Sequence, residues 1–276
     1  MIYHYTDLNA AKSIAENAVV WLTECRYLND KEEFTTGLKI LHTALTQTSY
    51  DGYPADFIST LQQEINYLIQ TDFKAPLASE NLFVASFSTT PDSLSQWRSY
   101  GMFMLAFEED FLSRSQIANE YYQLQCHYAV NEKDALNHAV DMIRSIIIPA
   151  LYSRCKRENM LLLNLWLTEL MEIYALSFKH KAFESECETR LVIACRNNAP
   201  EIKFRVKGDL LIPYIELEIN PLSLRSINVG PVANQELSVA SLTMFANSRA
   251  KQVQIDENES SYSLYVNPSE TPYRSL

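Results

Sequence analysis

The stretch Phe183-Glu184-Ser185-Glu186-Cys187-Glu188-Thr189-Arg190-Leu191-Val192 joins three carboxylates at alternate positions to an arginine and then to an apolar run. The apolar end is rich in β-branched residues and predicts a buried strand. If the strand extends back through the acidic part, its period of two places Glu184, Glu186 and Glu188 on one face with Arg190. Like charges at this spacing repel, so a fold tolerates the row only where water, Arg190 or a ligand compensates. The row is therefore a candidate site, and hydrated glutamates with a weak surface ion pair are the alternative.

The composition of the chain indicates a folded globular protein. Of its 276 residues, 47% are hydrophobic and 21% are charged, which suits one large domain or two small ones. The 23 basic residues against 34 acidic ones give a formal net charge of -11. A field of that sign opposes binding to a phosphate backbone, so nucleic acid is disfavoured as a partner.

Cysteine usage and the N-terminal residues both predict a cytoplasmic location. The five cysteines contain no pair at two-residue spacing, so neither a disulfide framework nor a zinc knuckle is indicated. The first residues lack the basic and apolar regions of a signal peptide.

The longest apolar run, 160–178, predicts a buried helix without membrane association. It is interrupted by Asn164, Thr168, Glu169 and Glu172, which a bilayer-spanning helix rarely carries together. Its leucines suit a closed core or a homo-oligomer interface equally well.

The order of the predicted elements indicates an α+β fold in a single domain, 1–276, with a mixed or mostly antiparallel sheet. No internal repeat, low-complexity segment or long linker divides the sequence. The helical segments 31–70 and 132–181 are predicted as insertions or a flanking lobe, and the tail after Asn267 is expected to be loose. Strands are predicted at 2–5, 19–22, 82–88, 102–107, 121–130, the acidic stretch, 202–206, 210–219, 224–229 and 252–255, and a helix at 236–246.

Local motifs of nucleotide and metal binding do not occur in the sequence. None of the five glycines makes a phosphate loop or a dinucleotide fingerprint. No two of the five histidines have the spacing of a helical metal motif, so no metal site is predicted on local evidence. Polar residues remain at three strand ends, His4-Tyr5-Thr6, Ser86-Phe87-Ser88 and Glu186-Cys187-Glu188, and their order along the chain is informative.

A longer set of blocks surrounds these strand ends: His4-Tyr5-Thr6, Trp21-Leu22-Thr23, Arg26-Tyr27-Leu28-Asn29-Asp30, Glu33-Phe34, Ser86-Phe87-Ser88, Leu94-Ser95-Gln96-Trp97-Arg98-Ser99-Tyr100-Gly101 and Glu186-Cys187-Glu188-Thr189-Arg190-Leu191. Through these blocks the sequence resembles a bacterial family, the domain-of-unknown-function family numbered 2971. The match covers roughly residues 2–231, and Gln96-Trp97 and Glu188–Arg190 are its more specific parts. Thr189 departs from the tryptophan expected there, which changes packing beside the acidic strand more than the chemistry on its other face.

The order of the three strand ends also resembles the motif order of ADP-ribosyltransferases, which bind NAD in a cleft between two small sheets. This resemblance implies an ADP-ribosyltransferase-like cleft in which His4 holds a ribose of NAD. It implies that Ser86 and Ser88 shape the cleft. It also implies that Tyr27 or Trp97 stacks on the nicotinamide ring.

The same resemblance assigns catalysis to the acidic stretch. Glu188 is the implied catalytic glutamate, bonding the ribose 2′-hydroxyl, and Glu186 is the residue that orients the acceptor. Departure of nicotinamide leaves an oxocarbenium-like ribose, which a fixed carboxylate stabilises without any glycine-rich loop. The predicted NAD-binding set is His4, Tyr5, Tyr27, Ser86, Ser88, Trp97, Arg98 and Arg190.

Three classes of function follow from these residues. The first is an NAD-consuming enzyme, an ADP-ribosyltransferase or NAD glycohydrolase, acting as a toxin or antiphage defence effector on an acceptor macromolecule or water. The second is a non-catalytic module that binds a nucleotide or another anion, or regulates a partner. The third is a hydrolase or nuclease that uses a divalent cation. The ligand anchors of the second class are Arg26, Trp97, Arg98 and Arg190, and the metal ligands of the third are Glu186, Glu188 and Asp30.

Overall fold

The computed structural model describes residues 1–28, 31–70, 80–112 and 121–271, and within them the chain is a mixed α+β protein with a mixed sheet. The predicted fold class is confirmed at this level. The strands are β1 Ile2–Thr6, β2 Val19–Glu24, β3 Glu80–Ser88, β4 Phe103–Phe107, β5 Tyr122–Gln125, β6 His127–Ala129, β7 Phe178–His180, β8 Glu188–Arg196, β9 Lys203–Lys207, β10 Leu210–Glu218, β11 Leu224–Val229 and β12 Tyr265–Pro268. The α-helices are α1 Leu8–Asn17, α2 Lys31–Gln47, α3 Ala55–Gln70, α4 Leu94–Tyr100, α5 Glu132–Met142, α6 Ile148–Glu158, α7 Leu163–Ala175 and α8 Gln235–Asp256.

The main sheet has the strand order β12-β11-β4-β1-β3-β2-β10-β9, with β8 paired to β3 and β5 paired to β8. Strand β3 pairs with β8 along its whole length. At its other edge, β1 meets β3 only at Ser88, whereas β2 meets it at Val84 and Phe83. Residues 85–87 of β3 lie between these two contacts, so the sheet opens there between β1 and β2.

Two large apolar cores hold the described chain together. In one, α1 and α8 pack on the main sheet. In the other, the predicted helical segments 31–70 and 132–181 pack on one another through side chains such as Phe57, Ile143 and Trp166. Burying each such side chain contributes roughly 1.5–3 kcal/mol. A smaller core between α7 and the strands β3 and β8 joins this helical lobe to the sheet. The single-domain boundary 1–276 stays a prediction.

Helix α7 is the buried helix that the apolar run predicted. It buries Trp166, Leu167 and Leu170, and it also buries Glu169 and Glu172, which the sequence analysis treated as interruptions. Across the described ranges, no helix combines the length and the hydropathy that crossing a bilayer requires.

The acidic stretch does not form the long alternating strand that was predicted. Lys181–Glu186 form a 3₁₀ helix, and Cys187 takes a left-handed conformation with φ 44° before β8 begins at Glu188. The backbone N–H of Cys187 donates to the carbonyl of Glu184 at 3.2 Å, which closes the turn. Because such a turn breaks the period of two, Glu184 is exposed while Glu186 and Glu188 are buried.

Two predictions near the C-terminus are also wrong. Residues 252–255 continue α8 instead of forming a strand, because Ala246, Ala250 and Val253 are buried at helical spacing. The last strand is β12, which pairs in parallel with β11. The tail is fixed as far as Thr271, whose hydroxyl donates to the carboxylate of Asp92 at 3.0 Å, and the rest of it lies outside the described residues.

The predicted strand at 121–130 is two short strands with different partners. Strand β5 pairs with β8, and β6 pairs in parallel with β7 of the helical lobe. The break at Cys126 lets the chain pass from the sheet to the lobe, and this brings Tyr128 to the start of β8.

Candidate functional site

A pocket of about 410 Å³ occupies the opening between β1 and β2. Its floor is the free edge of β3, and its walls come from β1, β2, α1, α4, β9 and the start of β8. The residues that line it are Tyr3, His4, Tyr5, Thr6, Ala10, Ser13, Ile14, Val19, Trp21, Thr23, Leu28, Val84, Ala85, Ser86, Phe87, Ser88, Gln96, Tyr100, Glu186, Glu188, Arg205 and Lys207.

The pocket brings together residues from all three predicted strand ends. The lining includes His4 and Tyr5 from β1, both serines of β3, and both catalytic candidates of the acidic stretch. The register of β3 and β8 places Ser88 opposite Glu188, which explains how the second and third strand ends meet. Tyr5 offers little to a ligand, because its hydroxyl donates to Thr90 O at 3.0 Å and accepts from Ser93 N at 3.0 Å.

Four residues of the predicted NAD-binding set do not line the pocket. Trp97 is 1% exposed, packs edge-on against Tyr5 and donates from Nε1 to Asp92 at 2.8 Å. No face of its ring is therefore available to stack on nicotinamide. The other three are the exposed Tyr27 and Arg98 and the buried Arg190.

His4 is a neutral hydrogen-bond acceptor in the pocket. Its Nδ1 lies 3.0 Å from the carbonyl oxygen of Ser86. Because a carbonyl oxygen only accepts, the proton must be on Nδ1, which leaves Nε2 with a lone pair. Burial lowers the pKa of His4 and outweighs the opposite effect of the Ser86 carbonyl, so the ring is uncharged at neutral pH.

Glu186 is held through its backbone and its side chain. Ser88 Oγ and Gln96 Nε2 donate to its carbonyl oxygen at 2.7 and 3.2 Å, so these motif residues fix the end of the 3₁₀ helix. The hydroxyl of Tyr100 lies 3.2 Å from Oε1 of Glu186. Gln96 and Tyr100 share one face of α4 because they are four residues apart. Both residues belong to the block Leu94–Gly101 quoted above, but neither was predicted to be part of the site.

Glu188 is the centre of a buried ionic cluster. Arg190 donates from Nε to Oε1 at 2.9 Å and from Nη2 to Oε2 at 3.0 Å. Lys179 Nζ donates to Oε2 of Glu188 at 2.6 Å and also contacts the carboxylate of Glu186. Arg190 Nη2 further donates to Glu33 at 2.8 Å. Three carboxylates and two cations therefore share one dehydrated cluster, and each member is at most 9% exposed.

Arg190 compensates the charge of Glu188, as expected from the sequence, and Lys179 adds to this effect. Burial alone raises the pKa of the Glu188 carboxyl group, but the charge of Arg190, with Lys179, outweighs burial and lowers the pKa to about 2. Burial alone lowers the pKa of Lys179, but the carboxylates of Glu188 and Glu186 outweigh burial, so this pKa is raised above its ordinary value. Glu188 is therefore ionised at neutral pH and is compensated by protein cations.

Sequence reasoning assigned to the site neither Lys179 nor Glu33, the two members of the cluster that come from the helical lobe, although Glu33 stands in the quoted block Glu33-Phe34. Lys179 stands between Phe178 and His180 in a short strand, where nothing local marks its burial. It also missed Arg205 and Lys207, which enter the pocket from β9 because the sheet order places β9 beyond β2 and β10.

The metal ligands considered for a hydrolase are not assembled in the described part of the chain. Within it, no group of three or more His, Cys, Asp or Glu side chains is placed to hold a metal ion. Glu186 and Glu188 instead share the ammonium group of Lys179. Asp30 lies outside the described residues.

Comparisons of this chain with protein-family models, with curated proteins and with solved structures each find no match. The two resemblances given above therefore stay predictions.

Proposed function

We propose that the pocket binds NAD as a substrate and cleaves its nicotinamide–ribose bond, in an ADP-ribosyltransferase-like cleft. The observation that supports this proposal is the assembly of His4, Ser86, Ser88, Glu186 and Glu188 around one opening in the sheet. These residues come from three distant parts of the sequence, and they supply two carboxylates and a neutral imidazole, with the serines anchoring His4 and Glu186.

In the proposed reaction, the bond between ribose C1′ and the nicotinamide nitrogen breaks, and its electron pair leaves with nicotinamide. The ribose is left with positive charge, and an oxygen or nitrogen nucleophile forms the new bond at C1′ and releases its proton to solvent. Glu188 accepts a hydrogen bond from the ribose 2′-hydroxyl and stabilises the positive charge. Its fixed, ionised carboxylate suits this role because it requires no reorganisation when the charge develops.

The neighbouring groups position the reactants. His4 accepts a hydrogen bond from a ribose hydroxyl through Nε2, which its bond to Ser86 leaves free to accept. Glu186 orients the acceptor nucleophile, with its carboxylate steadied by Tyr100. Water as the acceptor gives an NAD glycohydrolase, and a macromolecule or small molecule gives a transferase.

The test is nicotinamide release from NAD by the purified protein, with and without cell lysate as a source of acceptors. We expect Glu188→Gln to lower release by about 10²- to 10³-fold, as loss of one preorganised electrostatic group typically does. Glu184→Gln is the matched control, because Glu184 belongs to the same stretch but is exposed and does not line the pocket. It should retain wild-type release.

Because Glu188 is part of a buried ionic cluster, its substitution also needs a folding control. Thermal unfolding followed by circular dichroism must show that Glu188→Gln is folded at the assay temperature. Absence of nicotinamide release in both mixtures, together with absence of NAD binding in calorimetry, would refute the proposal.

One observation favours a second candidate, a module that binds a nucleotide without reaction. Glu188 already accepts hydrogen bonds from Arg190 and Lys179, and these two cations offset the charge that would stabilise the transition state. Saturable NAD binding with no product in either mixture would support this candidate over the enzyme.

A further inference from the structure

Two cationic side chains of the pocket lie on the opposite side of β3 from the carboxylates. Arg205 and Lys207 stand at alternate positions of β9, so they share one face of that strand. Strand β9 follows β2 and β10 in the sheet, whereas β8, with Glu188, pairs with the other edge of β3. The pocket therefore has an acidic side and a basic side.

The guanidinium of Arg205 is held in place by neutral contacts. Its Nη2 donates to the hydroxyl of Thr23 at 3.0 Å, and its central carbon lies 5.6 Å from the ring centre of Trp21. Trp21 in turn packs against Tyr214 at 4.4 Å between ring centres. A planar cation stacked on an aromatic ring and fixed by one hydroxyl keeps most of its donors in a defined direction.

The charge of this guanidinium is not matched by a carboxylate among the residues that the structure describes. No carboxylate in the described ranges lies within ion-pair distance of Arg205 or Lys207. Nε of Arg205 is buried and has no hydrogen-bond acceptor among the described residues. A dehydrated donor without an acceptor is costly unless a ligand supplies one. Lys203, two residues earlier on the same strand, pairs with Glu216 at 2.6 Å and does not line the pocket.

We propose that Arg205 and Lys207 bind the diphosphate of a dinucleotide in this pocket. The inference rests on the proposed function, which assigns no residues to the diphosphate of NAD. A guanidinium fork matches two phosphate oxygens, and the lysine adds a second positive charge. In a chain with a formal net charge of -11, such a pair also gives an anionic ligand a local site of favourable potential.

The two sides of the pocket match the charges of NAD in order. Its nicotinamide riboside end carries a positive ring and ribose hydroxyls, which suit Glu186, Glu188 and neutral His4. Its diphosphate carries the negative charges, which suit Arg205 and Lys207. A ligand bound in this direction leaves its adenosine beyond the basic side.

The experiment compares four probes by calorimetry: NAD, ADP, inorganic pyrophosphate and nicotinamide riboside, which lacks phosphate. We expect Arg205→Gln to weaken NAD and ADP by about 10- to 100-fold, the loss typical of hydrogen bonds to a charged group. Nicotinamide riboside should bind Arg205→Gln and wild type equally. Lys207→Gln should weaken the phosphate probes less, and raising the salt concentration should weaken them in wild type.

Lys203→Gln is the matched control, because it removes a lysine from the same strand outside the pocket. Arg205→Lys tests the fork separately, since it keeps the charge and the fold but loses the planar donors. Thermal unfolding of each variant shows whether a loss of binding is a loss of folding.

The outcomes separate this inference from the proposed function. If ADP or pyrophosphate binds in a manner that depends on Arg205 but NAD is not turned over, the proposed enzymatic activity is refuted and the diphosphate site is supported. If Arg205→Gln has the same NAD turnover and the same NAD affinity as Lys203→Gln, the proposed enzymatic activity is supported and the diphosphate site is overturned. The diphosphate site is also overturned if no phosphate-bearing probe binds wild type at millimolar concentration.

Discussion

Replacing Lys179 with methionine tests whether the buried ionic cluster holds the acidic side of the pocket. Methionine keeps an unbranched stem of similar length but removes the ammonium group. Lys179 is 8% exposed, and its Nζ contacts the carboxylates of Glu186 and Glu188. Removing one partner of a buried ion pair typically costs about 3–5 kcal/mol. Glu188 keeps Arg190, so most of the loss falls on Glu186, and we expect about 3 kcal/mol at pH 7, the lower end of that range.

The cost should depend on pH in a defined direction. In wild type, the lowered pKa of Glu188 means that its contribution is present above the ordinary carboxyl pKa and is lost as pH falls through about 2. The raised pKa of Lys179 means that its contribution is present below the ordinary amine pKa and is lost as pH rises further. Because Lys179→Met lacks this contribution, its cost should be full at pH 7 and smaller at a pH of about 11.5, above the ordinary amine pKa.

Urea unfolding, followed by the fluorescence of the buried Trp97 and Trp166, measures these free energies. The double variant Lys179→Met/Glu186→Gln removes the ammonium together with a carboxylate charge that it compensates. It should recover at least about 1 kcal/mol, seen as coupling in the double-mutant cycle. A cost below about 0.5 kcal/mol for Lys179→Met at pH 7 would refute the account of the cluster.

Three further substitutions test the elements that shape the pocket. Ser88→Ala removes the buried hydroxyl that donates to Glu186 O at 2.7 Å, and we expect urea unfolding to show a loss of about 1–3 kcal/mol; a loss under 0.5 would contradict this anchoring. His4→Gln should lose less thermal stability than wild type when the pH is lowered below about 6.5. In wild type the pKa of His4 is lowered in the folded state, so its contribution to stability is present above the ordinary histidine pKa and is lost as pH falls through the folded-state pKa. An unchanged pH profile would contradict that assignment. Gly101→Ala should lower the free energy of unfolding by more than about 3 kcal/mol, because its Cβ would lie 2.3 Å from a backbone oxygen of β1 and its φ is +130°. Gly52→Ala is the comparison: its φ is +93° but its Cβ would meet open space, so it should cost only about 1 kcal/mol of strain. Equal costs for the two glycines would rule out the clash.

The meeting of the three strand ends could be predicted from the sequence because each end carries its own local signal. Small or ionisable residues directly before or after an apolar strand mark the point where a chain enters or leaves a buried sheet. Ser88 and Glu188 lie opposite each other in the structure, as polar ends of neighbouring antiparallel strands can. His4 joins them because β1 meets β3 at that same end.

Arg190 was expected to compensate the acidic row and does so through Glu188, but the positions of Lys179 and Arg205 could not be predicted, because they depend on strand pairing. Lys179 reaches Glu188 only through the packing of β7 beside β6. Arg205 reaches the pocket only through the order β2-β10-β9. In the sequence, each is a basic residue in a short strand, and that pattern is also typical of a solvated edge.

The sequence also did not predict which aromatic side chain of helix α4 faces the pocket. Trp97 and Tyr100 lie on one short helix, and sequence alone favoured the tryptophan as the residue that contacts a ligand. The structure buries Trp97 beside Gly230 and places Tyr100 in the pocket lining. Which face of a short helix is buried depends on the sheet below it, and a helix of two turns has too few residues for its apolar period to decide.

The ionic cluster also gives the helical lobe a role in the site. Glu33 belongs to α2 and Lys179 to β7, whereas Glu188 and Arg190 belong to β8, so the cluster joins the lobe to the sheet at the carboxylates of the pocket. Each charge there is dehydrated, and a shift of the lobe would leave at least one of them without its partner. The carboxylates are therefore fixed before a ligand arrives, which serves binding and catalysis alike. For this reason rigidity at Glu188 does not separate the two candidate functions, and the measurement that does is the formation of free nicotinamide.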